Sequence, residues 1–219
     1  MLRAVVFDFD GVILDTEEPE YVSWHRVWAD HGVELGLDEW ARCIGTVGAF
    51  DPMAELVARA GVPVDRVTVD ERRRSLHRGL VAANDVLPGV AELLDDCRER
   101  GVRVAIASSS PVSWVDGHLR RLGLADRFTG LHCFDGTRPA KPAPDLYRCA
   151  VEALGVEPDE AVAVEDSLNG ITAAQAAGLG CVAVPGPITR HLDLSAADLR
   201  VETLAGVRVA DLEALSNGR

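Results

Sequence analysis

"LRAVVFDFDGVILDTEE", residues 2–18, carries an apolar run into two aspartates one residue apart, Asp8 and Asp10, with Gly11 directly after them. An apolar segment without polar alternation is what a strand covered on both faces of a parallel sheet requires. Acids placed where such a strand ends stand on the rim of the sheet, at the side where open α/β sheets bind ligands. The first question is therefore whether the rest of the chain builds such a sheet.

It repeats the pattern. Short apolar runs recur at 102–107 ("VRVAIA"), 131–134 ("LHCF"), 161–165 ("AVAVE") and 180–184 ("GCVAV"). Helical patterns separate them. "PGVAELLDDCRERG" (88–101), "PVSWVDGHLRRLG" (111–123) and "PDLYRCAVEALG" (144–155) each open near proline and close on glycine, and "SLNGITAAQAAG" (167–178) opens on a serine cap. Strand and helix alternating over short connections predict a doubly wound, parallel α/β sheet. One region departs from this rhythm. Between Asp15 and about Val86 the pattern is helical only, with Tyr21, Trp24, Val27 and Trp28 on one face of "EYVSWHRVWADHG". These aromatics read as the core of a helical insertion of residues 15–86, leaving 1–14 and 87–219 as the α/β core.

Composition narrows the functional classes. The 219 residues are 47% hydrophobic and 26% charged, an ordinary soluble makeup, and the net charge is −13, which disfavours nucleic acid and anionic membrane surfaces as partners. The most basic run, "DERRRSLHR" (70–78), has acidic neighbours and reads as a solvated helix face. The five cysteines are scattered and form no CxxC pair, so reduced thiols and a cytoplasmic setting are expected. The N-terminal apolar segment is too short and too acidic for a signal peptide or a membrane span. No GxSxG, GxGxxG, P-loop or HExxH is present.

At each strand exit stand groups suited to one task. Asp8, Asp10 and Gly11 follow the first run, Ser108, Ser109 and Ser110 the second, and Glu165 and Asp166 the fourth, while Lys141 lies in "RPAKPAPD" near the third. Converging carboxylates call for a hard divalent cation, and oxygen ligands suit Mg²⁺. A lysine beside them supplies fixed positive charge for a phosphoryl group, and hydroxyls with backbone N–H groups add donors. A carboxylate can attack phosphorus, and a second acid two residues on can protonate the leaving oxygen and then activate water. Gly11 fits a backbone that turns sharply and comes close to the phosphate.

"VVFDFDGVILDT", "VAIASSS", "AKPAPDLY" and "AVAVEDSLNGITAAQAAG" together resemble the four motifs of the haloacid dehalogenase superfamily, in the branch with an α-helical cap that includes β-phosphoglucomutase and phosphoglycolate phosphatase. The resemblance spans essentially the whole chain and implies a Rossmann-like core with an inserted helical cap. It implies Asp8 as nucleophile and Asp10 as general acid and base, with Ser108, Ser109, Lys141 and Gly11 around the phosphoryl group. Asp166 would bind Mg²⁺ with the Asp8 side chain and the Asp10 backbone carbonyl, and Glu165 would be a ligand or a partner standing behind the ligands. In the cap, Thr16, Glu20 and Gly45 are the candidate substrate residues.

The implied function is Mg²⁺-dependent hydrolysis of a small phosphorylated metabolite through an aspartyl phosphate, by a cytoplasmic monomer or homodimer. The alternative is a sugar phosphomutase similar to β-phosphoglucomutase. That family carries a histidine where this chain has Glu20, and a lysine and an arginine where this chain reads "IGTVGAFDP" (44–52), both of which weigh against the mutase. A phosphoacceptor signalling module is disfavoured by the long helical insertion directly after Asp8.

Overall fold

The computed structural model describes residues 1–40 and 50–216. Six parallel strands form one sheet in the order β3-β2-β1-β4-β5-β6. They are β1 (Ala4–Phe7), β2 (Arg103–Ser108), β3 (Leu131–Cys133), β4 (Ala161–Glu165), β5 (Gly180–Ala183) and β6 (Leu199–Arg200). β1 is central: Ala4 is in register with Arg103 on one side and with Ala161 on the other. From β1 the chain builds outward to β3, then returns across β1 to start β4. That reversal opens a crevice at the carboxyl end of β1.

Period-two alternation sorts side chains to the two faces of the sheet, and both faces are buried. Val5, Phe7, Ile106, Val164 and Val182 point to one face, which α5 (Val90–Arg100) and α6 (Val112–Arg121) cover. Ala4, Val6, Ala105, Ala107, Ala161 and Ala163 point to the other. Its small side chains let α7 (Asp145–Leu154) and α8 (Leu168–Ala176) lie close, with Ala173 and Ala174 of α8 against the strands. α8 opens as its sequence predicts, with the Ser167 hydroxyl accepting the Gly170 N–H at 3.1 Å. α9 (Val209–Leu212) closes the chain near α5, where Asp96 accepts the Val209 N–H at 2.7 Å.

Between β1 and α5 the described residues form α1 (Glu17–Ala29), α2 (Leu37–Trp40), α3 (Pro52–Arg59) and α4 (Arg66–Ala83). They share an apolar cluster in which Trp24, Val27 and Trp28 of α1 meet Leu35, Trp40, Leu56 and Val69, with Ile188 reaching in from the chain that follows β5. The predicted aromatic face of α1 is thus buried inside the helical segment. The two chain passages joining this segment to the sheet run side by side: Leu14 bridges Val86, Leu87 N–H donates to Ile13 O at 2.9 Å, and Asn84 Nδ2 donates to Asp15 O at 2.8 Å.

Two expectations need correction. β6 was not anticipated, because a two-residue strand is too short to leave a period in the sequence. The basic run at 70–78 is not simply a solvated face. Arg72, Arg74 and Arg78 are exposed, but Arg73, Leu76 and His77 turn inward at helical spacing. Gly45 lies outside the described residues.

Candidate active site

A cavity of about 920 Å³ opens where β1, β2 and β4 end, between the sheet and the helical segment. Its floor comes from strand termini. The Asp8 N–H continues the ladder by donating to Val164 O at 2.9 Å, so its side chain stands directly above β1. Lys141 Nζ donates to Asp8 Oδ1 and to Glu165 Oε1, both at 2.6 Å, and Tyr147 OH donates to the same Glu165 oxygen at 2.6 Å. All four groups are buried. Ser109 Oγ accepts the Lys141 backbone N–H at 3.2 Å, which ties the lysine's loop to the end of β2.

The floor holds more negative charge than its lysine neutralises. One oxygen each of Asp8, Glu165 and Asp166 lies within 4.8 Å of the others. Burial pushes the Asp8 carboxyl up to about 7 against the pull of Lys141, and burial with the neighbouring carboxylates Glu17, Asp8 and Glu165 pushes Asp166 well above its usual range. For Lys141, burial favours the neutral amine, but the Asp8 and Glu165 carboxylates outweigh it and hold the ammonium above its ordinary value. Asp166 Oδ2 is buried without a hydrogen-bond partner among the described residues. Leaving such an oxygen unmatched is costly. A compact all-oxygen donor set with a surplus of charge and an orphaned oxygen fits a hard divalent cation.

Gly11 explains how Asp166 comes so close. Its φ of +78° is ordinary for glycine, and a Cβ built there would overlap the Asp166 carboxylate. The Gly11 N–H donates to Leu14 O at 2.8 Å, so Gly11 acts here by making room. Gly170 does the same behind Glu165, where a Cβ would collide with the carboxylate.

The walls combine core and helical segment. Asp10 accepts from Thr16 Oγ1 and Trp114 Nε1 through Oδ1, both at 2.9 Å, and from Ser110 Oγ at 2.6 Å through Oδ2. Opposite stands Glu20, whose carboxylate accepts from Arg73 Nη1 at 2.8 and 2.9 Å and from Trp24 Nε1 at 3.2 Å, with His77 Nε2 3.4 Å away. Glu17 also lines the cavity, its carboxyl pushed up to about 8 by burial and by Asp10, Glu20 and Asp8. Trp40 Nε1 is buried at the wall without a partner among the described residues.

Of the residues singled out in the sequence, Asp8, Asp10, Thr16, Glu20, Ser108, Ser109, Lys141 and Asp166 line the cavity, while Glu165 lies directly beneath it and Gly11 behind Asp166. Sequence reasoning missed Glu17, Trp40, His77 and Trp114. A signal existed for two of them: His77 shares the inward face of α4 with Val69 and Arg73, and Trp114 falls in the first turn of the helix that follows the serine loop.

The fold and this rim of acids, serines and lysine define a hydrolase of the doubly wound α/β class with a helical insertion. The chain belongs to the haloacid dehalogenase-like hydrolase family, whose sequence model matches residues 2–178. It is 38% identical over 210 residues to YhcW of Bacillus subtilis (strain 168), a protein named only as a candidate phosphatase, with 96% of each chain covered. It is 32% identical over 218 residues to hexitol phosphatase B of Escherichia coli (strain K12), again with 96% of each covered. Among solved structures, CbbY from Rhodobacter sphaeroides in complex with phosphate matches with a TM-score of 0.76 and 29% identity, covering 97% of this chain and 100% of that one. No helix among the described residues is long and apolar enough to cross a membrane.

Proposed function

We propose that the protein hydrolyses the phosphoric monoester of a small, hydroxylated metabolite, with Asp8 as nucleophile, Asp10 as general acid and base, and Mg²⁺ as cofactor. The observation that carries this reading is the contact of Lys141 Nζ with Asp8 Oδ1 at 2.6 Å on a floor shared with two more buried carboxylates. Lys141 orients Asp8 and presents its charge to a phosphoryl group seated above it, and the Ser108 and Ser109 hydroxyls border the same space. The Asp8 carboxylate oxygen attacks phosphorus as the ester P–O bond breaks, and Asp10 gives its proton to the departing oxygen. Asp10, now a carboxylate, takes a proton from the water that attacks the aspartyl phosphate, releasing inorganic phosphate and restoring Asp8. Mg²⁺, held by Asp8, Asp166, the Asp10 carbonyl and Glu165, would neutralise the floor and the phosphoryl oxygens.

The helical segment, residues 15–86, acts in this reading as a cap over a core of 1–14 and 87–219, excluding water and contacting the leaving group. Glu17 and Glu20 suit hydroxyl donors, Trp40 Nε1, which has no partner among the described residues, suits a hydroxyl acceptor, and Trp40 and Trp114 offer apolar faces to C–H groups. An acidic wall disfavours a second anionic group on the substrate. The named activity of hexitol phosphatase B is of the same kind. We further place the enzyme in the cytoplasm, a setting consistent with scattered thiols.

The test is release of inorganic phosphate from a panel of sugar, polyol and aryl phosphates with and without Mg²⁺. Mg²⁺-dependent release that is lost in Asp8→Asn is expected. Activity that survives that substitution, or no turnover of any panel member by the wild type, overturns the reading. Product analysis with β-glucose 1-phosphate separates hydrolysis from the mutase reaction, which would yield an isomeric sugar phosphate in place of inorganic phosphate.

A further inference from the structure

The hydrogen bonds around Asp10 divide its two oxygens. Oδ1 accepts from Thr16 Oγ1 and from the Trp114 indole Nε1, both at 2.9 Å. Oδ2 accepts from Ser110 Oγ at 2.6 Å and lies 3.4 Å from Ser108 Oγ. A serine hydroxyl rotates and can turn to another acceptor, whereas an indole has one N–H whose direction the ring fixes. The indole N–H is therefore the donor that anchors Oδ1, with the Thr16 hydroxyl beside it, while the donors to Oδ2 among the described residues are serine hydroxyls that can reorient towards a bound phosphoryl group.

The indole is itself braced. His77 of α4 stacks on it, with ring centroids 5.6 Å apart and planes 13° from parallel. His118 meets it edge-on at 4.3 Å. An imidazole from the helical segment thus packs against the indole that donates to Oδ1.

We propose that Trp114 is a positioning residue for the reaction: its indole N–H fixes Oδ1 of Asp10 so that Oδ2 is presented to the leaving-group oxygen, and His77 keeps the indole in place. This rests on the reading of Asp10 as general acid. In the step concerned, the Asp8 O–P bond forms as the ester P–O bond breaks, and the proton on Asp10 Oδ2 passes to the departing oxygen, leaving Asp10 as a carboxylate.

Proton donation matters more as the leaving group becomes a stronger base, which provides the readout. The full-length enzyme in Mg²⁺ is assayed against aryl phosphates from p-nitrophenyl to p-methoxyphenyl, as wild type, Trp114→Phe, His77→Ala and Asp8→Asn. Trp114→Phe keeps an aromatic ring against His77 but loses the N–H. Its kcat/KM is expected to fall within about threefold of wild type for p-nitrophenyl phosphate and about tenfold or more for p-methoxyphenyl phosphate, a part of what a whole general acid contributes. His77→Ala is expected to steepen the series in the same direction by less. A partly unfolded preparation lowers every substrate equally and leaves the slope unchanged, and His77→Ala carries the test if Trp114→Phe does not fold. An equal loss across the series, no change, or a gain in either variant overturns the role of Trp114. Aryl phosphate hydrolysis that persists in Asp8→Asn, or its absence in the wild type, overturns instead the functional reading on which that role stands.

Discussion

The floor and the wall of the cavity are built on opposite plans. On the floor, Asp8, Lys141, Glu165 and Asp166 stand at strand ends or in the loops leaving them, buried, with Lys141 joining two of the carboxylates. On the wall, Glu17, Glu20 and His77 project from helix faces, half-buried, and Trp40 Nε1 has no partner among the described residues. A strand in mid-sheet fixes its last residue through ladders on both sides, so the floor cannot move without breaking the sheet. A helix can shift against its neighbours at smaller cost. In the proposed reading the floor and Asp10 at its edge carry the bond-breaking chemistry, and the helix-borne part of the wall chooses the substrate.

The largest predicted effect is on the floor. Asp8→Asn is expected to lower kcat by at least about 10³-fold, because in the proposed mechanism Asp8 is the nucleophile and its loss removes the route itself. Steady-state phosphate release measures it, and a comparable loss from Glu17→Gln or Glu20→Gln would break the division. Lys141→Met comes next. It leaves the Asp8 and Glu165 carboxylates buried without their cation, so thermal unfolding is expected to show a loss of about 3–5 kcal/mol alongside the loss of activity.

Asp166→Asn probes the metal. Mg²⁺ at 100 to 1,000 times its dissociation constant is expected to stabilise the wild type by about 3–4 kcal/mol in thermal melts, and to do little for this variant. Equal shifts in both proteins would place the cation elsewhere. The smallest effect belongs to the wall. Glu20→Gln keeps the shape but weakens the pairing with Arg73, and is expected to raise KM for a polyol phosphate several-fold, at about 1 kcal/mol, while leaving kcat for p-nitrophenyl phosphate near wild type.

The same contrast explains what could be read from the sequence. The floor was legible because a central parallel strand is a continuous apolar run, and its last residue is marked by the first charge: Phe7 gives way to Asp8, and Val164 to Glu165 and Asp166. The burial of Trp24, Val27 and Trp28 was legible from helical periodicity. On the wall, Asp10, Thr16 and Glu20 were named through the family resemblance, but Glu17, Trp40, His77 and Trp114 were not, because no local pattern names the facing partners of a helix face. Arg73 and His77 were hidden in a run of charges whose other members, Arg72, Arg74 and Arg78, do face solvent. Trp114 passes in sequence for one more apolar helix position, and only the packing of α6 against the end of β1 brings its N–H to Asp10.

The measurement closest to the centre is chemical trapping of the intermediate. The wild type is mixed with its best phosphate monoester in Mg²⁺, quenched in acid within the first turnover, and mapped by peptide mass spectrometry. One added phosphoryl group on the peptide containing Asp8, absent from Asp8→Asn and lost when the quench follows substrate exhaustion, is the expected result. Turnover with no phosphoryl group on that peptide at any quench time, or with the group on another residue, would contradict a nucleophilic role for Asp8.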